Sequence, residues 1–148
     1  MEKARKLFPI LIAEDDPDDR LIIKDAFEEA GVHQVIHYVE DGQELMDYLC
    51  LQGKYSWPNH SSRPGIILLD LNMPRKNGME ALREIKSDPT LKRIPVVVMT
   101  TSKRAEDIGL LYDLGANSYI QKPSDFATFV MIVKTLSKYW LEIVALPP

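Results

Sequence analysis

The sequence predicts a doubly wound α/β domain, in which a five-stranded parallel sheet lies between two layers of helices. Three observations lead there. Ile66-Ile67-Leu68-Leu69 is uninterruptedly apolar and runs directly into Asp70, as expected of a parallel strand buried on both faces. Two further apolar runs, Ile10-Leu11-Ile12-Ala13 and Val96-Val97-Val98-Met99, likewise end in polar groups, Glu14-Asp15-Asp16 and Thr100-Thr101-Ser102. Strand and helix signals also alternate five times along the chain, the pattern of a parallel sheet with helical crossovers. Ligands of such sheets bind beyond the carboxyl ends of the strands. Three strand ends therefore bring carboxylates and hydroxyls to one edge.

The elements follow in order. After the first strand, Asp16-Pro17 opens a helix with Asp16 as N-cap and Pro17 at the first helical position. Its apolar stripe is expected at Leu21, Ile22, Ala26 and Phe27, with Gly31 as the stop. His33–Val39 reads as a second strand, and Asp41-Gly42 turns into a helix carrying Leu45, Met46 and Leu49 at helical spacing. The polar stretch Gly53–Arg63, with Trp57-Pro58-Asn59-His60-Ser61-Ser62 inside it, reads as a loop before the third strand. Asn77-Gly78 begins a helix through Leu82 and Ile85 that stops near Asp88-Pro89. Val96–Met99 is the fourth strand, Ala105–Leu114 a short helix ended by Gly115, and Ala116–Gln121 the fifth strand. Lys122-Pro123 leads to a last helix from Ser124 or Asp125 to about Trp140, and residues 141–148 form a short apolar tail.

At 148 residues the chain reads as one domain, 1–148, and its 45% hydrophobic content is that of a globular protein. A formal net charge of −4 argues against nonspecific nucleic-acid binding, so no DNA partner is expected. No apolar run approaches the ~20 residues of a membrane span, and the first residues lack a signal-peptide core. The single Cys50 excludes an intrachain disulfide, and Tyr48-Leu49-Cys50-Leu51 reads as a packed small hydrophobe. A cytoplasmic domain is the expectation.

Glu14, Asp15 and Asp70 at one sheet edge are electrostatically costly. Two carboxylates ~4 Å apart repel by ~1 kcal/mol in water and ~4 kcal/mol at a partly screened protein edge. A divalent cation offsets that repulsion, and hard oxygen ligands without a His or Cys cluster suit Mg²⁺ or Mn²⁺. One carboxylate could then act as a nucleophile and become an aspartyl phosphate. Phosphoryl transfer needs its equatorial oxygens positioned and neutralised, for which Lys122 offers a charge and Thr100 a hydroxyl. Taken singly, Asp16 is a helix cap, Thr100 a strand terminus and Lys122 a solvated surface charge. Their common location at strand ends makes the joint reading the stronger one.

Glu14-Asp15, Asp70, Thr100 and Lys122-Pro123, with Leu68-Leu69-Asp70-Leu71-Asn72-Met73-Pro74 and Asn77-Gly78, resemble the signature of the receiver domain of bacterial two-component response regulators. The resemblance runs from about Ile10 to about Tyr139. It implies a flavodoxin-like fold and Mg²⁺-dependent transfer of a phosphoryl group from a sensor histidine kinase onto Asp70. It also implies Asp15, Asp70 and the Asn72 carbonyl as metal ligands, with Glu14, standing where Asp is commonest, acting directly or through water. Tyr119 matches the switch aromatic, which turns inward as Thr100 moves toward the phosphoryl oxygen. The lengthened connection at Gly53–Arg63 and the tail in place of an output domain are similar to small single-domain regulators that serve phytochrome-type and other sensor kinases.

Such a protein is a phosphoacceptor that changes partners and not an enzyme acting on outside substrates. A Mg²⁺-dependent aspartyl phosphatase or phosphotransferase would need a second acid near the nucleophile, where this chain has Asn72. An unphosphorylated interaction module would not require the charged cluster. Apolar residues beyond one stripe, Ile108, Leu110, Leu111 and Leu114, together with Trp140, Leu141, Ile143, Val144 and Leu146, suggest a homodimer through the fourth helix, fifth strand, fifth helix and tail.

Overall fold

The computed structural model describes residues 8–56, 63–101 and 105–147. The expected loop at 57–62 and Ser102 lie outside these residues. Five parallel strands, β1 (Ile10–Ala13), β2 (Ile36–Val39), β3 (Ile66–Leu69), β4 (Val96–Thr100) and β5 (Ser118–Gln121), form one sheet in the order β2-β1-β3-β4-β5. β1 therefore pairs with β2 on one side and β3 on the other, aligning Ala13 with both Val39 and Leu69. The chain reverses its direction of travel across the sheet between β1 and β3, where doubly wound sheets open a crevice at the strand ends.

Side-chain alternation along the strands divides the core in two. Leu11, Ala13, Ile67, Leu69, Val96 and Val98 face one helical layer, made by α2 (Gly42–Cys50), α3 (Gly78–Ser87) and α4 (Ala105–Asp113). Ile10, Ile12, Ile66, Leu68, Val97 and Met99 face the other, made by α1 (Pro17–Glu29) and α5 (Phe126–Lys138). The three central strands are buried on both faces, which is why their sequences are continuous apolar runs.

Helix starts follow their capping residues. Asp16 accepts from the Asp18 and Asp19 amides, Asp41 from Glu44, and Asp125 from Thr128. Asn77 and Glu80 form a reciprocal capping box. α1 does not bury Leu21 and Ile22 as expected. Both are exposed, and the helix instead seats Ile23, Ala26 and Phe27, whose i, i+3, i+4 spacing defines a single stripe toward the sheet. β2 and β5 are shorter than read, spanning Ile36–Val39 and Ser118–Gln121.

Cys50 is exposed and not packed. It lies two residues beyond the inward-facing Tyr48, on the opposite side of the helix. Its residual burial and the carboxylates of Asp88, Glu84 and Asp47 push the thiol pKa up, away from the reactive thiolate. Past α5, a π-helical turn, Tyr139–Ile143, carries the tail back onto its own domain. Trp140 and Leu141 pack against the α1–α5 core, and the Arg63 guanidinium donates to the Pro147 carbonyl at 3.1 Å.

Candidate functional site

The carboxyl ends of β1, β3, β4 and β5 bring Glu14, Asp70, Thr100 and Lys122 to one edge of the sheet, where Glu14, Asp70 and Lys122 line a common crevice. Carboxylate oxygens of Glu14, Asp15 and Asp70 lie within 4.8 Å of one another. Glu14 is 2% exposed and Asp70 6%, while Asp15 is half-buried at the rim. Lys122 Nζ reaches Glu14 Oε1 at 2.6 Å, Asp19 Oδ2 at 3.3 Å and Asp70 Oδ2 at 3.6 Å. The second Glu14 oxygen accepts from the Asp16 amide at 3.3 Å.

Burial pushes the Glu14 carboxyl up to about 7; the Lys122 hydrogen bond opposes that rise and the Asp70 charge adds to it. Burial works against the charge of Lys122, yet its hydrogen bond to Glu14 and the charges of Asp70, Glu14 and Asp19 hold its pKa above the ordinary value. A single ammonium among three inner carboxylates leaves the cluster net negative. The donor set is all-oxygen, with Glu14, Asp15 and Asp70 as its carboxylates. This fits a small hard divalent cation and gives no purchase to a softer one. The Asn72 amide approaches Asp70 Oδ1 at 3.4 Å, placing that backbone beside the same carboxylate.

Thr100 is completely buried, and its hydroxyl has no hydrogen-bond partner. Tyr119 packs against the α2–α3–α4 core, and its buried hydroxyl is also unpartnered. Burial, with Asp107 nearby, raises the pKa of that phenol. Its backbone amide donates to the Tyr112 hydroxyl at 3.2 Å.

Several residues that shape the site were not singled out from the sequence. Arg20, on the first turns of α1, donates to the carbonyls of Glu14 and Asp15 at 2.9 and 3.1 Å and pairs with Glu40 at 3.3 Å. It pins the backbone that presents both acids. Asp41 caps α2 with one oxygen and with the other receives Arg75 Nε at 3.0 Å and its second guanidinium nitrogen at 2.8 Å. Arg75 adopts a left-handed backbone, φ 62°, within the β3–α3 loop. Gly42 lets α2 approach that loop: its amide donates to the Lys76 carbonyl at 2.8 Å, and a Cβ would lie 2.0 Å from that oxygen. Asp-Gly before a helix was legible as a turn; the close approach that demands glycine was not.

A parallel sheet of order β2-β1-β3-β4-β5 with acids, a hydroxyl and a lysine at its strand ends is the frame of a phosphoacceptor domain. Comparison with known proteins agrees. The response regulator receiver domain model matches residues 10–134, and the chain belongs to that family. Response regulator Rcp1 of Synechocystis is 39% identical over 93% of this chain and 92% of its own. The phosphorylated cyanobacterial phytochrome response regulator RcpA is 44% identical, covers 97% of this chain and 100% of its own, and superposes with a TM-score of 0.88. The Mn²⁺-bound form of Rcp1 gives a TM-score of 0.85 at 38% identity, covering 95% of this chain and 99% of its own. The expected doubly wound, flavodoxin-like fold and the place of the chain among two-component response regulators are thus borne out.

Proposed function

We propose that this response regulator takes a phosphoryl group from a histidine kinase onto Asp70, with Mg²⁺ or Mn²⁺ held by Asp15, Asp70 and the Asn72 carbonyl and assisted by Glu14. The observation that carries the reading is the convergence of Glu14, Asp15, Asp70 and Lys122 at the β1/β3 switch point. The Mn²⁺-bound state of Rcp1 supports the metal. When bound, such an ion neutralises the carboxylates and the incoming phosphoryl oxygens. Lys122 would supply the second positive charge. Thr100, whose unpartnered hydroxyl sits on the strand next to Asp70, hydrogen-bonds a phosphoryl oxygen, and Tyr119 fills the space Thr100 leaves. Among the described residues, Glu14 and Asp70 are the buried strand-end acids in contact with Lys122; the ammonium holds Glu14 at 2.6 Å and Asp70 at 3.6 Å, so Asp70 is the one less tightly engaged.

The protein acts as a switch in the cytoplasm and does not turn over outside substrates, since Asn72 cannot serve as the acid a phosphatase needs beside its nucleophile. The kinase is of phytochrome type, a reading supported by RcpA's being a phytochrome response regulator. The output is a homodimer formed through α4, β5 and α5. Leu110 and Tyr112 on α4, Met131 on α5 and Ile143 in the tail are exposed and available to it, although much of the tail packs on its own domain. No DNA contact is part of this output, and no helix among the described residues is long and apolar enough to cross a membrane.

Labelling with acetyl phosphate and Mg²⁺, read by intact mass, tests the assignment. Wild type gains one phosphoryl group and Asp70→Asn gains none. Labelling of that variant at the wild-type rate overturns the reading. Phosphotransfer from a phytochrome-type kinase, faster than from unrelated kinases, tests the partner.

A further inference from the structure

The Lys122 ammonium has three protons to give. One goes to Glu14 at 2.6 Å and another to Asp19 at 3.3 Å, while Asp70 is the most distant of its three carboxylates at 3.6 Å. Asp19 differs in origin from the other two. It lies on the first turn of α1, not at a strand end, and its backbone is fixed by the Asp16 cap. Its side chain is 42% exposed at the mouth of the crevice, whereas that of Lys122 is 13% exposed. Arg20, the next residue, anchors the same turn to the Glu14 and Asp15 carbonyls. The turn that carries Asp19 is therefore rigidly placed relative to the acids.

We propose that Asp19 is a positioning residue that tethers the Lys122 ammonium on the α1 side of the crevice and withholds it from the phosphoryl oxygens arriving at Asp70. This rests on the reading of Asp70 as phosphoacceptor. In labelling, an Asp70 carboxylate oxygen forms a bond to phosphorus, the bond from phosphorus to the acetyl oxygen breaks, and acetate leaves with the electron pair. The charge on the transferring group is then spread over three equatorial oxygens. Lys122 stabilises that charge only to the extent that it leaves its resting carboxylates. A contact made in the resting state and lost in the transition state slows the chemical step. Glu14 is the tighter resting partner, but it is buried beside Asp70 and travels with the site. Asp19 holds Lys122 back from outside.

The strength of the tether is that of a partly exposed ion pair, so its removal is worth a few-fold in rate. The experiment is the dependence of initial labelling rate on acetyl phosphate concentration at saturating Mg²⁺. Asp19→Asn raises the saturating rate about three-fold. Asp18→Asn, one residue earlier on the same turn with an exposed side chain, removes the same charge. It shifts only the half-saturating concentration, through weaker repulsion of the anionic donor. Asp19→Glu restores the wild-type rate. In a Lys122→Ala background, where labelling is slow but measurable over hours, Asp19→Asn changes nothing, because the tether has no tenant.

A saturating rate unchanged or lowered in Asp19→Asn, an equal gain in Asp18→Asn, or a gain that survives in Lys122→Ala would overturn the proposal. Failure of the underlying reading looks different: Asp70→Asn would label like wild type whatever stands at position 19.

Discussion

Thr100 and Tyr119 lie on the same face of adjacent parallel strands, and each ends in a buried hydroxyl with no hydrogen-bond partner. The register pairs Val98 with Tyr119 and Thr100 with Gln121, so Tyr119 stands two residues below Thr100 on the face turned to α2, α3 and α4. An unpaired buried hydroxyl costs about 1–3 kcal/mol. In the proposed switch, a phosphoryl oxygen arriving at Asp70 would give Thr100 its partner and Tyr119 would follow.

Thr100→Val therefore leaves the resting fold intact. It removes an unsatisfied hydroxyl and keeps the shape, so stability in urea changes by less than about 1 kcal/mol or rises. Acetyl phosphate still labels Asp70, because the nucleophile and Lys122 are untouched, but the partner response to phosphorylation is lost. Loss of labelling equal to that of Lys122→Ala, which we expect to slow transfer at least about ten-fold, would contradict this division of roles.

Asp15→Asn weakens Mg²⁺ binding by at least about ten-fold, since it removes a rim carboxylate from a set whose oxygens lie within 4.8 Å. The same change relieves like-charge repulsion, so the metal-free protein becomes no less stable. Titration of Mg²⁺ against intrinsic fluorescence, with a thermal melt in chelator, reads both. Wild-type affinity in this variant would move the metal elsewhere.

Gly42→Ala is predicted to destabilise the protein by about 3 kcal/mol. An added methyl would stand 2.0 Å from the Lys76 carbonyl oxygen, and backbone, not a flexible side chain, must yield. The displaced loop carries Asn72, so metal affinity falls with stability. A neutral urea midpoint for Gly42→Ala would show that α2 and the loop separate freely.

The Glu44 cluster sets part of the acid limit of stability. Burial alone would raise the Glu44 pKa, but bonds from Lys54, Tyr55 and the Glu40 amide outweigh it and hold the carboxyl below its ordinary value of 4.5. A depressed folded pKa adds stability that is complete above 4.5 and lost as pH falls through the folded value. Tyr55 donates to Glu44 at 2.6 Å, so Tyr55→Phe costs about 1–2 kcal/mol near neutrality and less at the acid end. Chemical denaturation from pH 7 to pH 3 checks the slope, and a cost independent of pH would exclude the linkage.

Leu110→Asp is expected to abolish phosphorylation-dependent dimerisation while sparing labelling, since Leu110 is exposed on α4 whereas its neighbour Leu111 is fully buried. Sedimentation with and without phosphodonor measures it. Ile143→Asp tests the tail separately, without removing Trp140 and Leu141, which pack on the α1–α5 core. A wild type that stays monomeric in both states would leave the exposed α4 face to the kinase or a downstream protein.

The sequence by itself determined the strands, their polar ends and the helix starts. These depend on short-range facts: uninterrupted apolar runs in β1, β3 and β4, and Asp16, Asp41 and Asn77 immediately before helices, where orphan amides need an acceptor. Strand alternation puts Leu69 and Leu68 on opposite faces, and the structure shows which helical layer each meets. Tertiary structure decided what those ends meet. Asp19 and Lys122 are 103 residues apart in sequence and become partners only because α1 packs on the same face of the sheet as α5, with its first turn beside the end of β5. Gly42 reads as a turn residue until Lys76 is laid against it. Leu21 and Ile22 are as hydrophobic as Ile23, but only one direction from α1 leads to the sheet, and the sheet chose Ile23, Ala26 and Phe27. Patterning records what each segment can bury; which group it buries against is set by the order of strands and the side on which each helix crosses.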